Sequence, residues 1–409
     1  MKTMDVEKIR SDFPMLQTTI NGKPLVYLDN SATTHKPRQV IDTIVDFYTT
    51  MNANIHRGAY SLGHQASNRY ESARASVQEF IGASSPEEII FTSGTTASLN
   101  LIARSYGNIV LGNGDEIIIT EMEHHANIIP WQALCERKKA RLKVVSIDDK
   151  GELCLDELES LISKKTKLVS LTFVSNVLGT INPIKKVVQI AHDHDVPVVV
   201  DGAQAVQHMP VDVSNFECDF FVFSGHKIFA ETGIGVCYGK KELLETMPPY
   251  EYGGGMISTV GFDQTIYADV PMRFEAGTRN ISAAISLESS LDYVKKIGLK
   301  AIKSHEHELT SYMKNRLDEL EAVTIYGSAK EKCGIFSMNL DDIHHYDAAM
   351  ILDQMGIAIR SGALCAQPLM DHFNIKGTIR ASLALYNTKR DIDVFIDGLK
   401  QVQEVCGAL

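Results

Sequence analysis

The sequence predicts an α/β fold, in which a large domain with a mostly parallel sheet flanked by helices precedes a smaller α+β C-terminal domain. Two observations support this prediction. From about residue 20 to residue 240, short β-branched runs alternate with longer helical patterns, which is typical of crossover connections between parallel strands. Beyond about residue 280 the alternation ends and long helical patterns take over.

The large sheet is expected to use six apolar runs, at residues 88–92, 116–120, 168–174, 196–200, 219–223 and 234–238. In the C-terminal part we predict helices over 281–320 with a joint near Gly298, over 346–355 and from Arg390, and strands at 336–340, 357–360 and 378–383. The 409 residues suffice for roughly two or three domains. We therefore predict an N-terminal segment 1–20 packing on the small domain, a large cofactor-binding domain 21–294 and a small domain 295–409.

The composition is that of a globular protein with a large core, since 44% of the residues are hydrophobic and 22% are charged. A formal net charge of −11 opposes binding to nucleic acid or to an anionic membrane. No stretch approaches the ~20 apolar residues of a membrane helix, and the acidic start lacks the apolar centre of a signal peptide. We therefore expect a cytoplasmic protein with no nucleic-acid or membrane partner.

A carboxylate and a lysine follow two neighbouring predicted strands. Asp201 comes directly after the run 196–200, and Lys227 ends the segment FSGHK at the end of the next strand. Ligands of parallel sheets bind beyond the carboxyl ends of the strands, so both side chains are expected to face one pocket. A lysine that binds an aldehyde as a Schiff base and an aspartate that keeps a pyridinium nitrogen protonated are the pair that pyridoxal 5'-phosphate requires. Asp201 as a helix N-cap is an alternative that does not exclude this role.

The turn after the first predicted strand suits a phosphate group. Ser93-Gly94-Thr95-Thr96 opens the following helix, where free backbone N–H groups and hydroxyls converge at the positive end of the helix dipole. A simple helix cap by Ser93 or Thr95 is the alternative. Together with Asp201 and Lys227 at neighbouring strand ends, the turn favours the phosphate interpretation.

Two further groups are placed to contact the ring of such a cofactor. The amide of Gln204 lies a turn beyond Asp201 and suits the phenolic oxygen, and an imidazole of the segment EMEHH after the strand 116–120 suits stacking on the pyridine ring. Paired histidines also occur in metal sites, but the sequence offers no third ligand at a workable spacing and no H-E-x-x-H motif. No metal is expected.

A substrate carboxylate and a nucleophile each have one candidate. Arg380 stands inside an otherwise apolar strand, where a guanidinium can bind a carboxylate in bidentate fashion or form a structural ion pair. Cys365 lies in a polar loop after a strand, whereas the other six of the seven cysteines lie in apolar or helical contexts. The odd number, the wide spacing and the lack of a C-x-x-C pair argue against disulfides and a zinc ribbon.

In combination and in this order, these residues resemble the cysteine desulfurases, fold-type I pyridoxal phosphate enzymes of the class V aminotransferase group. More narrowly, the chain resembles their SUF-type, or group II, branch, which includes selenocysteine lyase-like members. The resemblance covers nearly the whole chain: YLDNSA from Tyr27, NIHRG from Asn54, EHHAN from Glu123, VSNVLG from Val174, DGAQ from Asp201, SGHK from Ser224, RFEAGT from Arg273, the Cys365 loop and Arg380.

The resemblance implies a role for each cofactor-binding residue. Lys227 is the Schiff-base lysine, Asp201 the pyridinium partner, Gln204 the contact of the phenolic oxygen, and His124 the imidazole stacked on the ring. The phosphate is implied to bind Thr95, Ser224 and His226 together with the turn at Thr96. Thr278 is implied to reach the phosphate of the neighbouring subunit, so a homodimer is expected.

The implied reaction converts L-cysteine to L-alanine and leaves a persulfide on Cys365. Asn176 and Arg380 hold the substrate carboxylate, with His56 nearby. A sulfur-acceptor protein of the SUF system then takes the sulfur for iron–sulfur cluster assembly. Catalysis is thus assigned to Lys227, Cys365 and His124.

The chain departs from the branch at three places. Its cysteine loop reads GALCA where GHHCA is usual, Ala230-Glu231 replaces a common Gly-Pro, and Arg279 stands where proline is frequent. None of these changes removes a catalytic group. The alternatives are a selenocysteine lyase, an aminotransferase or epimerase of the same fold, which has no need of Cys365, and a catalytically weak scaffold in a sulfur-transfer complex.

Overall fold

The computed structural model describes residues 4–407. The strands are, in chain order, β1 Thr19–Ile20, β2 Lys23–Pro24, β3 Val26–Tyr27, β4 Ile89–Thr92, β5 Glu116–Thr120, β6 Arg141–Val145, β7 Thr166–Thr172, β8 Val198–Asp201, β9 Phe220–Ser224, β10 Gly235–Gly239, β11 Ile257–Val260, β12 Thr265–Tyr267, β13 Val323–Tyr326, β14 Ile335–Leu340, β15 Ile357–Ala358, β16 Arg360–Gly362 and β17 Thr378–Ser382. The α-helices are α1 Val6–Ser11, α2 Arg38–Asp46, α3 Ser61–Ile81, α4 Thr95–Arg104, α5 Tyr106–Val110, α6 Ile129–Lys138, α7 Leu155–Leu161, α8 Ile184–His192, α9 Val213–Phe216, α10 Lys241–Thr246, α11 Ile281–Ile297, α12 Leu299–Asp318, α13 His345–Gln354, α14 Gln367–His372 and α15 Lys389–Gly407.

The largest sheet has seven strands in the order β4-β10-β9-β8-β7-β5-β6. Only β10 runs antiparallel to its neighbours; the pairs from β9 to β6 are parallel. Apolar clusters cover the two faces of this sheet, with α3, α8 and α11 on one face and α4 and α6 on the other. The predicted α/β class with a mostly parallel sheet is therefore confirmed.

A second sheet, in the order β13-β14-β17-β16, lies in the C-terminal part. Its apolar cluster takes side chains from α12, α13 and α15, and also Val26 and Leu28 from the N-terminal part of the chain. The helical stretch 281–320 divides as expected, because α11 ends at Ile297 and is followed by Gly298, whose φ of 97° is accessible to glycine. The division of the chain at residue 295 stays a prediction.

Several predicted element bounds were wrong by one or two residues. The run 196–200 is β8, which includes Asp201 as its last residue, and the run 168–174 is β7, which starts and ends earlier. Among the strands of the two largest sheets, β6 and β13 were not predicted. Both are edge strands with partly exposed residues, so neither has the apolar run that marks the buried strands.

The N-terminal segment contacts both parts of the chain. Residues 1–3 lie outside the described residues. Further along, Arg10 donates to the Asp391 carboxylate at 2.8 Å and to the Tyr386 carbonyl at 2.6 Å. Phe13 packs against the rings of Phe229 and Tyr386 at centroid distances of 5.9 and 4.7 Å. The segment therefore joins the start of α15 to the region after Lys227.

A buried ion pair links α3 to the loop before Thr278. Arg74 donates to Glu275 at 2.7 Å, and both side chains are almost fully buried. Glu275 also accepts from Tyr70 at 3.0 Å and from the Phe91 amide at 2.8 Å. Burial acts to raise the pKa of Glu275, but Arg74 outweighs it and the pKa is lowered.

We predict that Arg74→Met destabilises the protein by about 3–5 kcal/mol, because it leaves the buried Glu275 carboxylate without its cation. The measurement is denaturant-induced unfolding at neutral pH. Arg69→Met on the same helix is the control, because Arg69 pairs with Glu288 at 3.4 Å from a partly exposed position, and such a pair contributes about 0–1 kcal/mol. Equal effects of the two substitutions would contradict the prediction.

Candidate active site

The carboxyl ends of several strands of the large sheet open into one cavity of about 340 Å³. This cavity is lined by eleven of the residues that the sequence singled out: Thr95, Thr96, His124, Asn176, Asp201, Gln204, Ser224, His226, Lys227, Cys365 and Arg380. The lysine and the cysteine, which are far apart in the sequence, therefore face the same space. Within residues 4–407, no group of three or more His, Cys, Asp and Glu side chains is arranged to hold a metal ion.

Asp201 and Lys227 reach the cavity from adjacent parallel strands. Asp201 ends β8, while Lys227 lies in the single 3-10 turn Gly225–Lys227 that follows β9. Asp201 does not cap a helix; its carboxylate accepts from the Ala203 amide at 2.9 Å in a turn. Burial raises the pKa of Asp201 and lowers the pKa of Lys227 to about 8. Both shifts favour the neutral forms because desolvation outweighs the mutual attraction of the pair.

The expected phosphate turn lies beside these two residues. Neither Ser93 nor Thr95 caps α4, whose N-cap residue is Gly94, so that alternative is not realised. Instead Ser224 accepts from the Thr95 amide at 2.8 Å, and the two hydroxyls lie 2.7 Å apart. A Cβ at Gly235 would come within 2.3 Å of Gly94, so glycine is needed for this close approach of β10 to the turn.

His124 and His226 line the cavity as neutral imidazoles, because burial lowers the pKa of each to about 4. Nδ1 of His124 accepts from the Ala126 amide at 3.0 Å, which leaves its Nε2 to carry the proton. Gln204 donates from Nε2 to the Ser31 carbonyl at 2.7 Å. Its Oε1 is buried without a hydrogen-bond partner among the described residues.

Two arginines share one carboxylate at the cavity wall. Arg360 and Arg380 stand opposite each other in the antiparallel pair β16 and β17. Asp29 lies 2.7 Å from Arg360 and 3.3 Å from Arg380. Since one carboxylate faces two guanidinium groups, a positive charge remains for an anion. Burial lowers the pKa of Arg380 to about 10, so the group stays charged at neutral pH.

Asn176 links Arg380 to the cysteine turn. Its backbone carbonyl accepts from Arg380 at 2.9 Å, and its side-chain amide donates to the Leu364 carbonyl at 2.8 Å. The Leu364 side chain packs into an apolar cluster with Met122 and Val177. Cys365 itself is exposed, while the remaining cysteines are buried or half-buried, as the sequence predicted.

His56 and Thr278 do not line this cavity. They lie together at a second cavity of about 250 Å³, which also receives Arg57, Arg279 and the glycine backbone at Gly254. His56 has a positive φ of 71°, and its Nε2 lies 3.9 Å from Glu71. The assignments of His56 to substrate binding and of Thr278 to the partner's phosphate stay predictions.

The sequence alone did not single out three groups of this site. They are Asp29, Arg360 and His125; the last donates its backbone N–H to the Cys365 carbonyl at 2.7 Å. Asp29 lies just beyond the two-residue strand β3, and Arg360 begins β16 at the end of the predicted strand 357–360, which gave it no role. A signal for Asp29 was nonetheless present, because a buried Arg380 in an apolar strand requires a carboxylate partner.

Comparison with known proteins identifies the class of protein that this fold and site define. The family described as "Aminotransferase class-V" matches residues 26–395. The chain therefore belongs to the class-V aminotransferase family.

Within that family, similar proteins are cysteine desulfurases. A probable cysteine desulfurase of Halalkalibacterium halodurans is 49% identical over 404 residues, which is 99% of each chain. An apo cysteine desulfurase of Thermococcus onnurineus NA1 superposes with a TM-score of 0.93 at 39% identity and covers 99% of both chains. The S-sulfonic acid form of the Escherichia coli cysteine desulfurase CsdA gives a TM-score of 0.92 at 33% identity, covering 99% of this chain and all of that one.

The cofactor of this family, pyridoxal phosphate, fits the residues present. The cavity combines the N-terminus of α4 with the hydroxyls of Thr95 and Ser224, which suits a phosphate. The buried Oε1 of Gln204 and the Nε of Arg380 have no protein partner among the described residues. Such atoms are expected in a site that is completed by a polar ligand.

We predict that, in the cofactor-free protein, the Lys227 amine titrates near pH 8 rather than near the ordinary value of about 10.4. Desolvation disfavours the ammonium form, so the free amine forms at a lower pH. Competitive chemical labelling of lysines across pH, read by peptide mass spectrometry, measures this midpoint. Asp201→Asn should lower the midpoint further, because the Asp201 charge acts to raise the Lys227 pKa. A Lys227 midpoint near 10 would contradict the prediction.

Proposed function

We propose that this protein is a pyridoxal-phosphate-dependent cysteine desulfurase that takes sulfur from L-cysteine onto Cys365. One observation carries the proposal: Lys227 and Cys365, which are separated by most of the C-terminal part of the chain, line a single cavity with Arg380. An aminotransferase or an epimerase of this fold has no need of a thiol at that position. The relatives named cysteine desulfurase support the same function.

The groups that handle protons are Lys227 and Asp201. When bound, pyridoxal phosphate supplies an electron-withdrawing ring that accepts the electron pair left at the substrate Cα. The Asp201 carboxylate would hold the proton on the ring nitrogen. The Lys227 amine would remove the Cα proton, and burial, which lowers its pKa to about 8 in the cofactor-free protein, makes the free base easier to form than on an exposed lysine.

The substrate carboxylate binds to Arg360 and Arg380, because the single carboxylate of Asp29 neutralises only one of their two positive charges. Arg380 presents a buried Nε without a partner among the described residues, and Arg360 lines the same cavity. Beside them, Asn176 accepts from Arg380 through its backbone carbonyl and donates from its side-chain amide to the Leu364 carbonyl. Such binding would fix the substrate so that its sulfur points toward Cys365, which lines the same cavity.

The sulfur-transfer step balances as one thiol plus L-cysteine giving L-alanine and a persulfide. The Cys365 thiolate attacks the substrate sulfur, the carbon–sulfur bond breaks with its electron pair remaining on carbon, and a proton then completes the methyl group of alanine. The thiol proton of the substrate stays with the transferred sulfur. An acceptor protein of the SUF system, in the cytoplasm, then takes this sulfur for iron–sulfur cluster assembly.

We predict that Cys365→Ala retains lysine-bound cofactor but loses sulfide release from L-cysteine in the presence of a reducing thiol. The substitution removes the nucleophile and leaves Lys227, Asp201 and the phosphate turn in place. The measurements are the visible absorbance of the bound cofactor and the sulfide and alanine formed. Cys154→Ala is the control, since Cys154 is half-buried outside this cavity.

Retained cysteine desulfuration by Cys365→Ala would remove the nucleophile assignment. The same assay with selenocysteine separates a lyase from a desulfurase by the ratio of the two kcat/KM values. A protein that binds no cofactor would instead be a scaffold.

The enzyme is further proposed to act as a homodimer with shared sites. The second cavity brings Thr278 together with the cations Arg57 and Arg279, and the turn at Ser93–Thr96 is not among the described residues that line it. The nearby hairpin of β11 and β12 exposes large apolar side chains, including Phe262 and Ile266. Apolar exposure of this kind marks an interaction surface.

We predict that mixing Lys227→Ala with Thr278→Ala restores activity that neither variant shows at full strength alone. In a mixed dimer, the chain with Lys227 intact receives an intact Thr278 from its partner, so one complete site forms. The measurements are molar mass by light scattering and sulfide release. An active monomer on sizing would refute the shared site.

A further inference from the structure

The turn that carries Cys365 has a backbone that its own residues do not favour. Leu364 and Cys365 both have a φ of 55°, in the left-handed region that side chains other than glycine rarely adopt. Two such residues in succession persist only where surrounding contacts hold them. The contacts that hold this turn therefore decide where the Cys365 sulfur lies.

His125 makes two of these contacts, one on each side of Ala366. Its backbone N–H donates to the Cys365 carbonyl at 2.7 Å. Its ring Nε2 accepts from the backbone N–H of Gln367 at 3.0 Å. On the opposite side, the Asn176 amide donates to the Leu364 carbonyl.

The hydrogen bond to the His125 ring also satisfies a backbone N–H at the start of α14, and it determines which ring nitrogen carries the proton. Gln367 is the first residue of α14, and the first N–H groups of a helix have no partner within it. Since Nε2 accepts this hydrogen bond, the proton of the neutral ring resides on Nδ1. A protonated ring would place a donor against the Gln367 donor.

His125 directly follows His124, and the two rings lie 6.3 Å apart. His124 faces the cavity with Lys227, whereas His125 faces the cysteine turn and does not line the cavity. One short segment thus joins the ring that is proposed to stack on the cofactor to the turn that carries the nucleophile.

We propose that His125 is a positioning residue for sulfur transfer, which clamps the Cys365 turn so that the thiol faces the substrate-binding cavity. The inference rests on the proposed desulfurase function and deepens it. It assigns to His125 a role in the transfer step and none in binding the cofactor or the substrate. Leu364 assists from the other side by anchoring its side chain in the apolar cluster with Met122 and Val177.

The test compares His125→Ala and His125→Gln with a control, His194→Ala, at an exposed histidine. Each holoenzyme is assayed for kcat and KM with L-cysteine, for cofactor absorbance and for hydrogen–deuterium exchange of peptides spanning residues 363–370. Misplacing a reacting group by about 1 Å costs on the order of 10²-fold in rate, so His125→Ala should lose about that much kcat with KM and absorbance unchanged. The Gln367 amide should exchange faster.

His125→Gln should recover part of both losses, because its side-chain oxygen offers an acceptor near the position of Nε2. His194→Ala should match the unsubstituted protein in every readout. If hydrogen–deuterium exchange of the 363–370 peptides were unchanged in His125→Ala, His125 would not hold the turn. If that exchange were faster but kcat were unchanged, His125 would have no role in sulfur transfer. A raised KM without a loss of kcat would assign His125 to substrate binding and also overturn the proposal.

The exchange measurement separates this inference from the function on which it rests. If the unsubstituted protein released no sulfide from L-cysteine, the proposed desulfurase function would fail. The exchange of the 363–370 peptides would still decide whether His125 holds the turn.

Discussion

The parallel pairing of β8 with β9 is the constraint on which the site depends. It aligns Asp201 with Val222 and so places an acid and, one turn beyond β9, the Lys227 amine at the same edge of the sheet. Both groups are withdrawn from water there, and this desolvation brings the pKa of Lys227 down to about 8. An amine exposed on a surface loop would remain protonated and could neither bond an aldehyde readily nor remove a proton at neutral pH. The sheet therefore creates the reactivity as well as the position.

Charge balance in the rest of the cavity follows the same logic. Two guanidinium groups and one carboxylate meet where β16 and β17 pair, which leaves the cationic site that we propose binds the carboxylate of an amino acid. The histidines at the other walls are neutral because they are buried. The cavity thus contains hydrogen-bond donors and the positive charge that Asp29 leaves uncompensated on the two arginines.

Cys365, the proposed nucleophile, is brought to this cavity by a different means. Cys365 belongs to a short turn in a left-handed conformation, which is held by Asn176 and His125 from the large-sheet side and by the apolar packing of Leu364. A short turn that is held at both ends restricts the position of the thiol, whereas a long loop would let the thiol sample many positions. The GALCA sequence lacks the usual imidazoles next to the cysteine. His125, from a distant part of the sequence, supplies an imidazole to the base of the same turn.

Buried strands and long helices were predictable, because an uninterrupted apolar run or a helical period is a local property of the sequence. Edge strands such as β6 and β13 were not, since their pattern is mixed and their pairing is decided by the neighbouring strand. Asp201 and Lys227 were identified because they follow apolar runs that mark buried strands, and such runs are a local property of the sequence. Asp29, Arg360 and His125 escaped notice, because their meaning depends on partners that are remote in the chain.

The sequence by itself determined the kinds of chemical group available and their order along the chain: a turn suited to a phosphate, an acid, a lysine, a cysteine in a polar loop and an arginine. Only the tertiary structure decided that Lys227 and Cys365 share a cavity and that the Asp29 carboxylate pairs with both Arg360 and Arg380. It also decided that His56 and Thr278 line a second cavity. The reason is physical. Local sequence sets hydrogen-bonding patterns and burial along a segment, whereas the pKa of a buried group and the direction of a thiol depend on side chains that folding brings together from far apart.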